Sequence, residues 1–325
     1  MKSSFLSFAR TWSVPWILFS LALALTLSSI EPAKLPELWR KPADIGTLAI
    51  AMTAIMLTGG IDLSVGSIVA LSGVVLGLLY RDLHWPIGMA AIGGVLAGTL
   101  AGTINGSLVA SGIAPLVATL ATMALFRGLA MALVDGQRIA NLPSSFTDLA
   151  WDSPGGLPTQ IYLLIGISLL FYIFVHHTWQ GRSLFAIGEN KRAAEFAALP
   201  VRRIEASLYV LSGTVAGLVA VMQTAYGGAA VPDSARGFEL QAIACVVLGG
   251  TRVTGGFGSI PRTLLGLATL AHLQIGFSLN SRREFWIPGL NTSFRLDADM
   301  QLIIVGALVI LVAVINERLA GRRRE

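Results

Sequence analysis

The amino-acid sequence predicts an all-α membrane protein that crosses the bilayer about ten times, and three observations carry that prediction. Of its 325 residues, 54% are hydrophobic and 13% charged, with a mean hydropathy of +0.72; an ordinary soluble domain carries about 25% charged residues. Uncharged runs of about 17 to 25 residues, enough to span the hydrocarbon core, recur from end to end. They leave no room for a separate soluble domain, so residues 1–325 read as a single membrane domain. Finally, the polar residues gather in breaks between those runs. One break, residues 56–73, sets Asp62 among Thr58, Gly59, Gly60, Ser64, Gly66 and Ser67. Lipid offers no hydrogen bonds to an unwound backbone or a carboxylate, so this stretch must face protein or water. Function is expected to concentrate there.

In chain order, polar residues 1–14 with Lys2 and Arg10 precede an apolar run at 14–30. No small-x-small cleavage site follows it, and it is read as an uncleaved first span. Residues 31–43, with Pro32, Pro36 and Pro42, form a loop; runs 45–61 and 63–80 then read as two helices meeting at Asp62. Leu83 to Phe126 has no formal charge and is long enough for two spans, divided at Ser111 to Pro115. Within it, Gly94, Gly98, Gly102 and Gly106 repeat every fourth residue, which on a helix makes a groove for close approach of another helix. A polar loop from Asp135 to Thr159, a span at 160–177, a basic loop at 178–205 and a span at 206–224 follow. The loop 225–238 leads to a short apolar run at 240–250, a glycine-rich turn at 251–259, a span at 261–279, a polar loop to 299 and a last span at 300–316. Short or broken helices are thus expected near 56–68 and 239–260. Loops assigned to one side carry 13 Lys and Arg against 9 on the other, which places both termini in the cytoplasm by the positive-inside rule. The same distribution explains the net charge of +5 better than a nucleic-acid partner does.

Enzyme readings find no support. The chain lacks a Gly-x-x-x-x-Gly-Lys-Ser/Thr phosphate loop, a Gly-x-Ser-x-Gly elbow and a His-Glu-x-x-His pair, so no catalytic residue is assigned. His84, His176, His177 and His272 stand apart or at span edges, and Cys245 is the single cysteine; no metal site is expected. In the basic loop, Ala193, Ala194, Phe196, Ala197 and Leu199 give a short helix with a small apolar face, stopped by Pro200. Such a helix either rests on lipid headgroups or docks into a cytoplasmic partner. There is also an internal echo: Leu57 to Ile68 and Leu248 to Ile260 both join a Gly-Gly pair to a Gly-Ser-Ile start.

Four segments carry a family resemblance: Thr58-Gly-Gly-Ile-Asp-Leu-Ser-Val-Gly-Ser67, Ile113 to Gly128, Gly181-Arg182 through Ala194, and Phe238 to Thr251 with Gly255-Gly-Phe-Gly-Ser259. In this order the chain resembles the permease subunits of bacterial ABC importers for sugars, of the ribose type. The resemblance implies an inner-membrane pathway formed by two such permeases, identical or similar. It also implies cytoplasmic ATPase subunits that bind ATP and Mg, a periplasmic sugar-binding protein, and no cofactor on this chain. Gly181, Arg182, Gly188, Glu189, Asn190, Ala193 and Ala194 then look like the ATPase-coupling segment. Leu199-Pro200, Pro261-Arg262 and a long 280–299 loop depart from the family pattern and bear on substrate and docking more than on fold.

Under that reading the translocation-pathway candidates are Asp62, Ser64, Ser67, Asn105, Thr119, Thr122, Gln223, Glu239 and Gln241. Each has a packing alternative. Asp62 is expected to cap the helix from Leu63 or to contact sugar hydroxyls; Asn105 is an interhelical hydrogen bond or a substrate contact; Glu239 is a helix-start carboxylate. Arg127, in an otherwise uncharged span, either snorkels or pairs with an acid. The other function class is a stand-alone carrier or facilitator for a small polar solute. Ribose, other pentoses, rhamnose-like sugars and a furanosyl autoinducer all remain open as substrates.

Overall fold

The computed structural model describes residues 35–280 continuously, with 19–24, 26, 284–287, 292–295, 300, 303–308, 310–312 and 314. The expected first and last spans, at 14–30 and 300–316, and the 280–299 loop are described only in part. After a short helix at Leu35–Leu38, the helices are α1 (Arg40–Leu57), α2 (Val65–Arg81), α3 (Ile87–Ala110), α4 (Pro115–Ala132), α5 (Ser144–Trp151) and α6 (Thr159–His177). They continue with α7 (Trp179–Glu189), α8 (Lys191–Phe196), α9 (Val201–Gly227), α10 (Phe238–Leu248) and α11 (Ile260–Asn280). A small antiparallel hairpin, β1 (Glu284–Ile287) with β2 (Thr292–Arg295), follows. The architecture is all-α apart from this hairpin.

Among the described residues, four helices, α3, α4, α6 and α9, are long and apolar enough to cross a membrane, and α2 and α10 are shorter apolar helices. Their outer faces expose Leu96, Leu100, Leu120, Leu129, Leu169 and Ile173, as lipid-facing helices do. The core runs along α1, which is buried from Pro42 to Leu57, between α6, α9, α10 and α11.

The four-residue glycine repeat builds a close seam. A β-carbon on Gly98 would stand 2.5 Å from the Gly213 carbonyl oxygen, and one on Gly106 would stand 2.6 Å from that of Ala206. Gly213 and Gly217 of α9 are equally closed, against Gly98 and Gly102 and against Val95. The α3 and α9 backbones therefore touch directly, as small-residue seams allow. A second seam sets Gly249 against the Arg262 carbonyl and Gly266 against that of Cys245, joining α10 to α11.

Several boundaries differ from the sequence reading. The first long helix begins at Arg40 rather than 45, because Arg40 is buried and held by hydrogen bonds to Trp151 and Ser153. The Asp135–Thr159 loop contains α5, an amphipathic helix that buries Phe146 and Ala150. The segment 178–205 is not one loop: it comprises α7, α8 and the first turn of α9. Pro200 precedes α9, where its fixed φ favours helix initiation.

The 225–238 loop is re-entrant. Ala230 pairs with Ile139, and both lie against Gly77 of α2, whereas Ala235 and Glu239 lie against Gly66. The chain from 230 to 239 therefore descends beside α2 by the length between Gly77 and Gly66, roughly 16 Å. α10 starts within the bundle rather than at its surface.

Candidate functional site

The break at Asp62 is an unwound segment from Thr58 to Ser64 between α1 and α2. Gly59 has φ +81°, which glycine adopts without strain. Asp62 is fully buried. Its Oδ1 accepts from the Ser64 backbone N–H at 2.9 Å and from Ser64 Oγ at 2.6 Å, and its Oδ2 accepts from Ser212 Oγ of α9 at 3.0 Å. Asn105 Nδ2 of α3 donates to Ser64 Oγ at 2.7 Å, and Ser67 Oγ donates to the Ser64 carbonyl at 2.7 Å. A chain of donors thus runs from Asn105 through Ser64 to the carboxylate, in which each bond polarises the next. The helix begins at Val65, two residues later than expected. Ser64 takes the cap position, and Asp62 holds the preceding turn instead of capping.

Thr119 Oγ1 of α4 donates to the Ile61 carbonyl at 3.3 Å and to that of Pro115 at 2.9 Å, while Thr122 bonds its own helix at Ala118. The structure therefore brings Asp62, Ser64, Ser67, Asn105 and Thr119 together in one enclosed cluster, with Thr122 one turn beyond Thr119. Two members escaped the sequence reading. They are Ser212 and Tyr209, whose hydroxyl approaches the backbone at Gly60; the only local signal was their place beside Gly213 on the glycine seam.

Gln223, Glu239 and Gln241 lie elsewhere and are partly exposed. Glu239 Oε1 accepts from the Gly237 N–H at 3.2 Å at the start of α10, and its carboxylate lies over Gly66. Gln241 accepts from Gln274 of α11 at 3.3 Å. Glu239 thus links the first turns of α10 and α2, two helices that both begin inside the bundle. Arg127 forms no ion pair among the described residues: it donates to the carbonyls of Pro232 and Ser234 at 3.1 and 2.6 Å and clamps the descending segment.

At the opposite end lie the coupling candidates. Thr178 caps α7 by accepting from the Gly181 N–H at 3.1 Å, and Asn190 caps α8 by accepting from the Ala193 N–H at 3.0 Å. Gly181 packs on the carbonyls of Phe174 and Val175. Arg182, Glu189, Asn190 and Ala193 are exposed while Ala194 is buried, and Phe196 projects with 92% of its surface exposed. Lys191 Nζ pairs with Glu205 of α9 at 2.7 Å. Gly188 packs directly on the Leu57 carbonyl and the Gly256 amide.

The other end is tied by Arg40, which the sequence reading left as a loop residue. Its guanidinium donates to the Trp151 carbonyl at 3.0 Å, Ser153 Oγ at 2.9 Å and Glu37 at 2.8 Å, and it lies 5.7 Å from the Trp151 ring. This hydrogen bond holds the Glu37 carboxyl below its ordinary range. Among the described residues, no group of three or more His, Cys, Asp and Glu converges to hold a metal.

Unwound segments that are buried in protein, with helices starting inside the bundle, are the construction of membrane transporters. Comparison with known proteins agrees. The chain matches, over residues 38–313, the family described as the permease component of branched-chain amino acid transport systems. It is 35% identical to the ribose import permease protein RbsC of Bacillus subtilis over 93% of this chain and 90% of that one. It is 36% identical to the autoinducer 2 import system permease protein LsrD of Yersinia enterocolitica over 83% of this chain and 79% of that one, and 35% identical to LsrD of Salmonella typhimurium over 82% and 81%. No solved structure matches. The chain belongs to this family of transport permeases and is a multi-pass membrane protein.

Proposed function

We propose that the chain is the membrane-spanning subunit of an ATP-driven importer that brings a sugar or sugar-like solute into the cytoplasm. The observation that carries this reading is the likeness to a ribose import permease along nine-tenths of both chains. The sugar class is supported by ribose and autoinducer 2 permeases among the relatives. It is supported too by the neutral amides of the partly exposed candidates Gln223 and Gln241, which suit hydroxyls better than the charged ends of an amino acid.

In this reading ATP and Mg bind a separate cytoplasmic ATPase, which seats α7 and α8 through Gly181, Arg182, Gly188, Glu189, Asn190, Ala193 and Ala194. A periplasmic sugar-binding protein delivers the solute at the end carrying Arg40, Trp151 and the start of the descending segment. A second permease, identical or similar, completes the pathway. Both termini lie in the cytoplasm of a bacterium's inner membrane. Gln223, Glu239 and Gln241 face the solute, whereas Asp62, Ser64, Ser67, Asn105, Thr119 and Thr122 hold the break in shape.

The test is affinity purification of the tagged chain in mild detergent, followed by reconstitution with the ATPase and binding protein that accompany it. ATP-dependent accumulation of D-ribose or autoinducer 2, and none of leucine, is expected. Flux of D-ribose through liposomes holding the chain alone, without ATP, would establish a carrier instead.

A further inference from the structure

Three segments far apart in sequence meet at the end of the bundle that bears α7 and α8. The Gly256 amide donates to the Leu57 carbonyl at 2.9 Å, joining the turn after α1 to the glycine-rich turn before α11. Gly188, near the end of α7, packs on both partners of that bond. A β-carbon on Gly255 would stand 2.8 Å from the Gly59 amide and 2.9 Å from Gly188 Cα, and one on Gly256 would stand 2.9 Å from Glu189 Cγ. Across the same contact Arg252 faces Glu189 at 3.9 Å and lies 5.0 Å from the Phe257 ring, with Arg262 4.6 Å from that ring. Backbone thus meets backbone in all three directions. Close-packed groups without voids transmit displacement rather than absorbing it.

The turn continues within a few residues to Asp62, whose hydrogen bonds reach α3 and α9. The two halves of the internal echo, around Gly59-Gly60 and Gly255-Gly256, are therefore the two halves of one contact with Gly188 wedged between them.

Resting on the importer reading, we propose that Gly59, Gly188, Gly255 and Gly256 are positioning residues that form a rigid joint, through which displacement of α7 and α8 reaches the Asp62 break. The joint does not open during transport. Glycine is required because any side chain would part the three segments, while α8 would still present the same surface to its ATPase.

The experiment uses the complex of this chain with its ATPase and measures hydrogen exchange of residues 58–67 with and without ADP-vanadate. In the unsubstituted complex ADP-vanadate is expected to change exchange there. Gly255→Ala, at the glycine whose β-carbon would meet the Gly59 amide and Gly188 Cα, should reduce that change by about fivefold or more, the lower end of ordinary coupling strengths, while the ATPase still co-purifies and hydrolyses ATP. Gly166→Ala, where a β-carbon meets open space, should leave it unaltered. A second measurement does not depend on folding of the glycine variant. Thr58→Cys with Thr254→Cys, on either side of the contact between Gly59 and the Thr254 carbonyl, bridged by a short bis-maleimide, should retain the full nucleotide response because the joint moves as one body; Cys245 is buried. A normal response in Gly255→Ala, loss of response on bridging, or no response at 58–67 in the unsubstituted complex would each overturn the joint. Failure of any ATPase to accompany the unsubstituted chain, with D-ribose flux lacking ATP dependence, would instead overturn the importer reading on which the joint rests.

Discussion

Asp62 shows how much one buried carboxylate organises. Removing it leaves the Ser64 amide, the Ser64 hydroxyl and the Ser212 hydroxyl without their acceptor, and each unsatisfied buried group costs about 1–3 kcal/mol. Asp62→Ala is therefore expected to destabilise by more than about 2 kcal/mol and Ser212→Ala by about 1 kcal/mol, as read from thermal unfolding midpoints in detergent. The double variant should cost less than the sum, because both changes break one interaction. Asp62, Ser64 and Asn105 were legible because a charge or an amide in an apolar run must find a partner. Ser212 and Tyr209 were not: a serine or tyrosine in a long helix is unremarkable until the helix opposite is known, and Ser212 meets its acceptor across a separation of 150 residues.

At the scale of elements, helix existence was readable and helix depth was not. Hydropathy located α1 through α4, α6, α9, α10 and α11, but it treats any polar stretch as a surface loop. The 225–238 stretch descends into the bundle because α2 offers Gly77 and Gly66 to it and Arg127 satisfies two of its carbonyls. These relations are not local in sequence. The glycine repeat was legible, but its opposite face at Ala206, Gly213 and Gly217 was not. Gly102→Leu should force α3 from α9 and abolish a monodisperse peak in size-exclusion chromatography, whereas Gly166→Leu, in open space on α6, should leave the peak unchanged. The capped break between α7 and α8 gives a gentler case. Asn190→Ala removes a cap worth about 1 kcal/mol, and faster hydrogen exchange confined to 191–196 is the expected result.

For the whole molecule, two of the segments counted on one side, 178–205 and 251–262, meet at one end together with the turn after α1: the backbone at Leu57, Gly188 and Gly256 touches. Three segments counted on the other side, 31–43, 135–159 and 225–238, meet at the opposite end, through Arg40 with Trp151 and Ser153 and through Ile139 with Ala230. The absolute orientation is an expectation from the charge count. Because Cys245 is buried, single cysteines at exposed positions report sidedness. Phe196→Cys should react with a membrane-impermeant maleimide only in inside-out vesicles, and Asp82→Cys only in right-side-out ones.

The partnership of Asp62 with Ser212 also dictates an order of assembly. The carboxylate enters the membrane with the second and third expected spans, yet the hydroxyl that completes its shell lies 150 residues later. At ordinary synthesis rates that interval lasts on the order of 10 s. Throughout it the nascent break has neither α9 nor the descending segment to cover it, and it must be sheltered by the insertion machinery or by water. The part of the protein most tightly enclosed in the finished fold is thus among the last to be closed during biogenesis.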